Sequence, residues 1–296
     1  MKKARFLGTI SAMTGAATYG TNPLFAMFMI LAGIGVNSIL FYRYLLATII
    51  FFVWLKFFKK ISLKINKEEC FSLALSGLLF SLSSITLFDS YRYIGVGIAS
   101  TILFVYPIMV AILMTLFFKE KITKPTIVAI ILTTIGTALL YKGDANETLN
   151  IKGVILVLFS ALMYALYMVG IKKNSTIKRM NTDKLTFYVI FFGLFVYIFN
   201  LKFCTQLQII NTPLLIGCAI GLAILPTILS IEMTNLGIKL IGSTKTAIFG
   251  ALEPITALIF GVALFHEHLS VRICFGILLI ILAVSIVVLN NSKKSK

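Results

Sequence analysis

Acidic residues are nearly missing from this chain. It has 10 Asp plus Glu against 27 Lys plus Arg, and charged residues of both signs make up only 12% of 296 residues. Tryptophan occurs once, and the four cysteines (Cys70, Cys204, Cys218, Cys274) show no CxxC spacing. No P-loop, no HExxH and no pair of intramembrane aspartates occurs. ATP-driven work within this chain, thiol redox chemistry and zinc-protease chemistry are therefore not expected. Free thiols are the default reading; a Cys204–Cys274 bridge is the alternative. What the chain has instead is apolar mass: 59% hydrophobic residues and a mean hydropathy of +1.01. Soluble domains do not have this composition.

The apolar residues fall in blocks of about 17–25, the length that crosses a bilayer core as a helix. Ten spans are expected: 6–32, 36–57, 69–93, 96–118, 124–141, 151–171, 184–202, 210–236, 240–265 and 270–290. The basic start, Met1-Lys2-Lys3-Ala4-Arg5, resembles a signal peptide, but the apolar stretch after it is too long for one. It is read as a retained first helix. Connections are short and leave no room for an appended catalytic domain.

The basic residues are sorted by side. With the N-terminus inside, 20 of the 27 Lys and Arg flank the inner ends of spans and 5 flank the outer ends. Arg43 and Lys245 lie within spans. This bias places both termini in the cytoplasm. It also accounts for the net charge of +17 without a nucleic-acid partner. The bilayer is the expected partner, and heavy use of Ile, Lys and Asn suits a bacterial cytoplasmic membrane.

An internal repeat divides the chain. At an offset of 147, STILFVYPIMVAILMTLFFKEKITK (100–124) lies over AIFGALEPITALIFGVALFHEHLSV (247–271), so that Pro107 meets Pro254 and Glu120 meets Glu267. At an offset of 145, Gly8 meets Gly153 and Tyr19 meets Tyr164. The expected halves are 1–141 and 151–290, with five spans each. Five is odd, so the second half enters the membrane upside down. Inverted repeats of this kind enclose a midplane site in transporters.

The repeat locates the oddest pair, Glu253–Pro254. Ten residues into span 9 is about 15 Å, the bilayer centre. Tyr106–Pro107 falls at the same depth in span 4. Each proline deprives a carbonyl four residues back, Leu103 or Gly250, of its helical donor. Such groups persist in lipid only where protein or water satisfies them, which points to a polar cavity.

These residues carry a family resemblance. FYRYLLA (41–47), SYRYIGVGIASTILFVYPIMVAILMTLFFKEKIT (90–123) and LGIKLIGSTKTAIFGALEPITALIFGVALFHEHLS (236–270) resemble the drug/metabolite transporter superfamily, EamA type. The resemblance covers nearly the whole chain as two halves. It implies ten helices and solute transport, and it names no single substrate. The first half departs from it at Tyr106, where a glutamate is common. Asp89 is not a general feature.

Several residues have two readings. Arg43 and Asp89 form a structural ion pair between spans 2 and 3, or Arg43 holds a substrate carboxylate in its fork. Glu232 and Lys245 pair with each other, or form a gate. Tyr19, Asn22, Tyr106, Tyr164 and Glu253 are candidates to line the cavity; Glu253 either exchanges a proton or binds a cationic group, or only stabilises the kink at Pro254. His266-Glu267-His268 is a solvated turn rather than a metal site, for want of a further ligand. No metal and no cofactor is expected, and no catalytic residue. The expected function is a secondary transporter of small organic solutes (amino acids, related metabolites or drugs) working by alternating access, with export as the expected direction and protons as candidate coupling ion. A monomer or a homodimer would serve. The alternative is a membrane-embedded lipid flippase or enzyme.

Overall fold

The computed structural model describes residues 2–140, 150–265 and 270–293. Their helices run in order: α1 (Lys2–Tyr19), α2 (Asn22–Leu31), α3 (Val36–Val53), α4 (Lys67–Leu103), α5 (Tyr106–Phe118), α6 (Lys124–Leu140), α7 (Ile151–Lys173), α8 (Ser175–Arg179), α9 (Thr182–Asn200), α10 (Pro213–Ala223), α11 (Ser230–Ile241), α12 (Ser243–Phe249), α13 (Leu252–Phe265) and α14 (Val271–Lys293). Wider π turns, Trp54–Phe58 and Ile224–Leu229, extend α3 and join α10 to α11. No strand occurs among the described residues. All four cysteines are free, Cys204 and Cys274 included.

Helix starts follow local side-chain chemistry. Asn66 and Glu69 cap α4 reciprocally: the Asn66 side chain accepts from the Glu69 N–H at 2.7 Å and Glu69 accepts from the Asn66 N–H at 3.0 Å. Asn150, Asn174 and Asn181 cap α7, α8 and α9 one-way, each side-chain oxygen accepting from a first-turn N–H. Prolines stand in the first turn of α5 and α10, where the missing N–H costs nothing.

Seven helical stretches among the described residues are long and apolar enough to cross a membrane, and Lys124–Leu140 is a shorter apolar helix. The first and ninth expected spans are broken, α1 from α2 at Gly20–Thr21 and α12 from α13 at Gly250–Ala251. The third and fourth spans differ from expectation. No loop separates them at residues 94–95; helical hydrogen bonding continues through to Leu103, and the break falls at Phe104–Val105. Packing against α7 still shows a reversal. Along α7, Asn174 donates to Ser72 (3.1 Å), Ser160 donates to the Ser83 carbonyl (2.6 Å) and Gly153 lies against Ile94. The direction then inverts: Tyr106 packs on Tyr164 with ring centroids 4.9 Å apart, and Glu120 lies 3.9 Å from Lys173. The chain therefore turns back between Ile94 and Tyr106 while keeping its backbone bonds satisfied, as lipid demands.

The two repeats meet through matched pairs. Gly153 admits Ile94, and Gly8 admits Ile241. Ser160 donates to the Ser83 carbonyl at 2.6 Å, while at the related positions Ser230 donates to the Gly15 carbonyl at 2.7 Å. The donor changes sides but the contact is kept. Gly8 at the start of α1 touches Ile241, and Lys172 at the end of α7 donates to the Lys239 carbonyl at 2.8 Å. The start of α1 and the end of α7 thus share one end of the molecule, so the first helices of the two repeats run in opposite directions.

The last helices of each repeat, α6 and α14, cross at two glycines. A Cβ on Gly136 would stand 2.8 Å from the Gly276 carbonyl, and one on Gly276 would stand 2.7 Å from the Gly136 carbonyl. Small residues let membrane helices approach where no hydrophobic force pulls them together. Gly136→Leu or Gly276→Leu is expected to destabilise the fold by more than the ~1–3 kcal/mol typical of overpacking. Gly217→Ala, with nothing within 4 Å of its Cβ position, should leave the melting temperature of the purified protein unchanged.

Candidate functional site

Two half-helices begin at the middle of the molecule, α5 at Tyr106 and α13 at Leu252–Glu253. Between them lies a cavity of ≈ 30 Å³ lined by Tyr19, Tyr106, Tyr164, Tyr167, Thr246 and Glu253, among others. This volume holds about two water molecules, too little for an organic solute.

Each wall has a local cause. Gly20, where α1 ends, has no side chain, and this lets it rest on the Glu253 carbonyl and Thr256. Glu253 stands in the first turn of α13, where the helix dipole favours a carboxylate. The Gly250 carbonyl that Pro254 deprives of a donor accepts from the Glu253 N–H at 2.9 Å, within a single turn. The kink therefore closes its own backbone here, and this corrects the expectation that the cavity must do so. Gly250 also makes room for the Tyr106 hydroxyl, which donates to the Ala247 carbonyl at 3.1 Å across the repeat boundary.

Tyr164 and Tyr167, three residues apart on α7, share one face. Phe80 packs on both, at centroid distances of 6.0 and 5.1 Å. The Tyr167 hydroxyl donates to Asn235 at 2.6 Å, and the Asn235 amide donates to Thr186 at 3.1 Å. That chain fixes α7, α9 and α11 behind the aromatic wall.

Arg43 sits beside the cavity, 2% exposed. Its Nε donates to the Thr227 hydroxyl (2.5 Å) and its Nη2 to the Pro226 carbonyl (2.8 Å). Its guanidinium lies 5.3 Å from the centre of the Tyr19 ring. The expected Arg43–Asp89 pair is not made in this structure. Arg43 is engaged at another break: Pro226 deprives the Leu222 carbonyl, four residues back in α10, of its helical donor. Thr227 donates to Leu222 at 2.7 Å, and Arg43 donates in turn to the Thr227 hydroxyl and the Pro226 carbonyl. The Nε–Nη2 edge that would grip a substrate carboxylate is thereby already occupied.

Two stretches of the chain, residues 6–142 and 151–289, match the profile of the EamA-like transporter family. The chain belongs to this family. Similar proteins include an uncharacterized transporter of Synechocystis sp., 32% identical over 74% of this chain and 66% of that one, just under two thirds of its length. The uncharacterized transporter YyaM of Bacillus subtilis is 27% identical over 74% of this chain and 75% of that one. A solved crystal structure shares the fold with a TM-score of 0.82 at 12% identity, covering 98% of this chain and 99% of that chain.

In this EamA-like transporter the expected site residues fall in different places. Tyr19, Tyr106, Tyr164 and Glu253 converge on the cavity, with Arg43 behind Tyr19. Asn22, at the start of α2, and Lys245, on α12, are not among its lining residues. Asp89 lies on α4 beyond the Ser81–Ser84 level that faces α7 and α9. Glu232, expected to pair with Lys245, lies 3.7 Å from Lys59, which also contacts Asp183. The reason is connectivity in space: α11 packs beside α9, which brings Glu232 to Asp183. Two further pairs, Lys184–Glu69 at 3.5 Å and Lys173–Glu120 at 3.9 Å, lie at the same basic end. Burial works against the Lys59 charge, but the Asp183 hydrogen bond and the Glu232 charge outweigh it and hold the ammonium above its usual value. Lys59 is charged throughout the physiological range.

Among the described residues no three of His, Cys, Asp and Glu group as metal ligands; His266-Glu267-His268 lies outside the described residues. Sequence reasoning missed Tyr167, Thr227, Asp183 and Lys59. The three-residue spacing from Tyr164 could have found Tyr167. The others resembled an ordinary helix residue, an N-terminal acid and a loop lysine. A double-mutant cycle tests the Arg43 assignment: Arg43→Ala with Thr227→Val should show a coupling of about 0.5–3 kcal/mol in thermal or denaturant unfolding, and Arg43→Ala with Asp89→Ala should be additive.

Proposed function

We propose that this membrane transporter is a secondary carrier that moves small organic solutes across the cytoplasmic membrane by alternating access between its two inverted repeats. The single observation that carries the reading is the meeting of two broken helices, one from each repeat, at a small cavity holding Glu253 and a ring of tyrosines. Broken helices at the midplane of paired repeats are where such proteins bind their cargo. A rigid helix could not change its contacts there without losing backbone bonds; a half-helix can pivot at its break.

The rest of the reading rests on the sequence pattern together with this site. Ten crossings, with 1–141 and 151–290 as the halves, put both termini on the basic, cytoplasmic side. Tyr19, Tyr106 and Tyr164 offer hydroxyls and ring faces to a solute, and Glu253 offers a carboxylate for a cationic group or a proton. Asn22 and Asp89 would take part only in another state. Export is the direction we favour, and amino acids or related metabolites the cargo. Four ion pairs tie residues of the first repeat (Lys59, Glu69, Glu120) to residues of the second (Lys173, Asp183, Lys184, Glu232) at the basic end. We read them as the inner gate, which must part to open the cavity to the cytoplasm.

Purified protein in liposomes tests the reading. Wild type should accumulate labelled amino acids or related solutes on an imposed pH gradient, and Glu253→Gln should fold normally yet lose the accumulation. Unchanged accumulation and pH dependence in Glu253→Gln would reduce this residue to a structural role; movement of labelled lipid without solute uptake would favour a flippase.

The gate has its own test. On a background lacking the four native cysteines, Thr246→Cys places a thiol in the cavity wall. In vesicles exposing the basic end, Lys59→Gln should speed its labelling by a membrane-impermeant maleimide severalfold. An unchanged rate would show that the Lys59 bridges do not hold this end shut.

A further inference from the structure

A second cleft is larger than the central cavity. At the basic end, Lys56, Lys60 and Lys64 line a space of ≈ 460 Å³ with Ile61, Ser62 and Leu63. It is formed by an extended strap between α3 and α4. The strap is tied at several points: the Ile61 N–H donates to the Leu55 carbonyl at 3.0 Å, the Tyr188 hydroxyl donates to the Leu63 carbonyl at 2.5 Å, and Lys184 donates to the Lys64 carbonyl. Lys60 takes a left-handed conformation (φ 52°), which turns the chain from α3 into the strap.

Charge around this cleft is unevenly matched. Lys59 and Lys184 are bound to carboxylates. Lys56, Lys60 and Lys64 make no ion pair among the described residues, though all three are exposed. The nearby acids are Glu69, which caps α4 and pairs with Lys184, and Glu68, which is exposed and does not line the cleft. Three positive charges therefore face one cleft without a counter-charge. Beside them Trp54, Phe57 and Phe58 are 46%, 68% and 69% exposed, with Trp54 stacked on Phe58 at 5.2 Å. Aromatic side chains exposed at the end of a spanning helix belong at the headgroup level. A cluster of lysines directly beyond a spanning helix attracts anionic headgroups.

We propose that this cleft is a docking site for the headgroup of an anionic phospholipid from the adjacent leaflet, such as phosphatidylglycerol. The phosphate sits among the Lys56, Lys60 and Lys64 ammonium groups, Ser62 donates to it, and the acyl chains run along Trp54, Phe57 and Phe58. The site also touches the inner gate we infer, because the run that supplies these lysines supplies Lys59. An ordinary positive-inside loop would need neither a cleft nor three converging unpaired lysines.

Trp54 is the one tryptophan in the chain, so the site contains its own reporter. The full-length protein is reconstituted in phosphatidylcholine vesicles containing a minor fraction of lipid with a nitroxide high on its acyl chain, on either phosphatidylglycerol or phosphatidylcholine. Anionic quencher should be preferred over zwitterionic quencher by about tenfold or more, given roughly fivefold for each lysine near the surface. The preference should vanish in the Lys56→Gln/Lys60→Gln/Lys64→Gln variant, fall in Lys60→Gln alone, and persist in the triple Arg variant and in Lys2→Gln/Lys3→Gln. Equal quenching by the two lipids in wild type overturns the proposal. So does an equal loss in Lys2→Gln/Lys3→Gln, which would mean general surface attraction. Abolition of the preference by inorganic phosphate at constant ionic strength would assign the cleft to a free anion instead. Should the triple Gln variant not fold, the single Lys60→Gln variant still decides: an unchanged preference there overturns the assignment.

Discussion

A helix broken at the centre of a bilayer exposes polar backbone where no water can satisfy it, and the architecture of this protein is organised around that constraint. The breaks before Pro107 and Pro254 fall at related positions of two repeats. They are tolerable because each faces the other repeat, not lipid. The Glu253 N–H closes the Gly250 carbonyl, and the Tyr106 hydroxyl crosses the boundary to Ala247. Pro226 makes a third break, and it is mended by a hydroxyl from its own helix and a guanidinium from another. At Pro254 and Pro226 a proline loosens a helix and a side chain or a neighbouring turn restores the bonding.

The inter-repeat contacts are of two kinds, and they suit different tasks. Within the membrane they are close approaches of small residues, Gly8, Gly15, Gly136, Gly153 and Gly276, with serine hydroxyls bonded to backbone. Such contacts depend on fit and tolerate little displacement, so helices joined by them move as units. At the basic end the repeats are joined by partly exposed ion pairs. Exposed pairs are individually weak, because water competes for both partners. A boundary that is tight along its length and weakly held at one end can open at that end without unpacking the rest.

Much of the fold could be read from the sequence because lipid imposes a simple rule on composition. Apolar blocks and the lysine bias follow from it, and the repeat at offsets of 145 and 147 is read by laying the chain over itself. The loop placed after Tyr93 is the instructive failure. A turn between spans carries the same residue types as a helix when its backbone remains helically bonded, and SYRYIGVGIAST has no stop signal beyond two glycines. Glu253, Tyr19, Tyr106 and Tyr164 were legible because symmetry relates Tyr106 to Glu253 and Tyr19 to Tyr164. Arg43 was legible as a buried charge, but not as a partner of Thr227.

The sequence by itself determined that this is a helical membrane protein of two repeats, and which polar residues stand within its apolar stretches. Hydropathy and periodicity are local properties, and internal symmetry needs only one chain to be compared with itself. Tertiary structure alone decided which polar groups are partners. Arg43 with Pro226 and Thr227, Lys59 with Asp183 and Glu232, and Tyr167 with Asn235 join residues 68 to 184 positions apart or cross between repeats. Depth along a helix limits which residues can meet, but it does not fix the rotation of one helix against another. Packing sets that rotation, and with it every pairing of charges in the molecule.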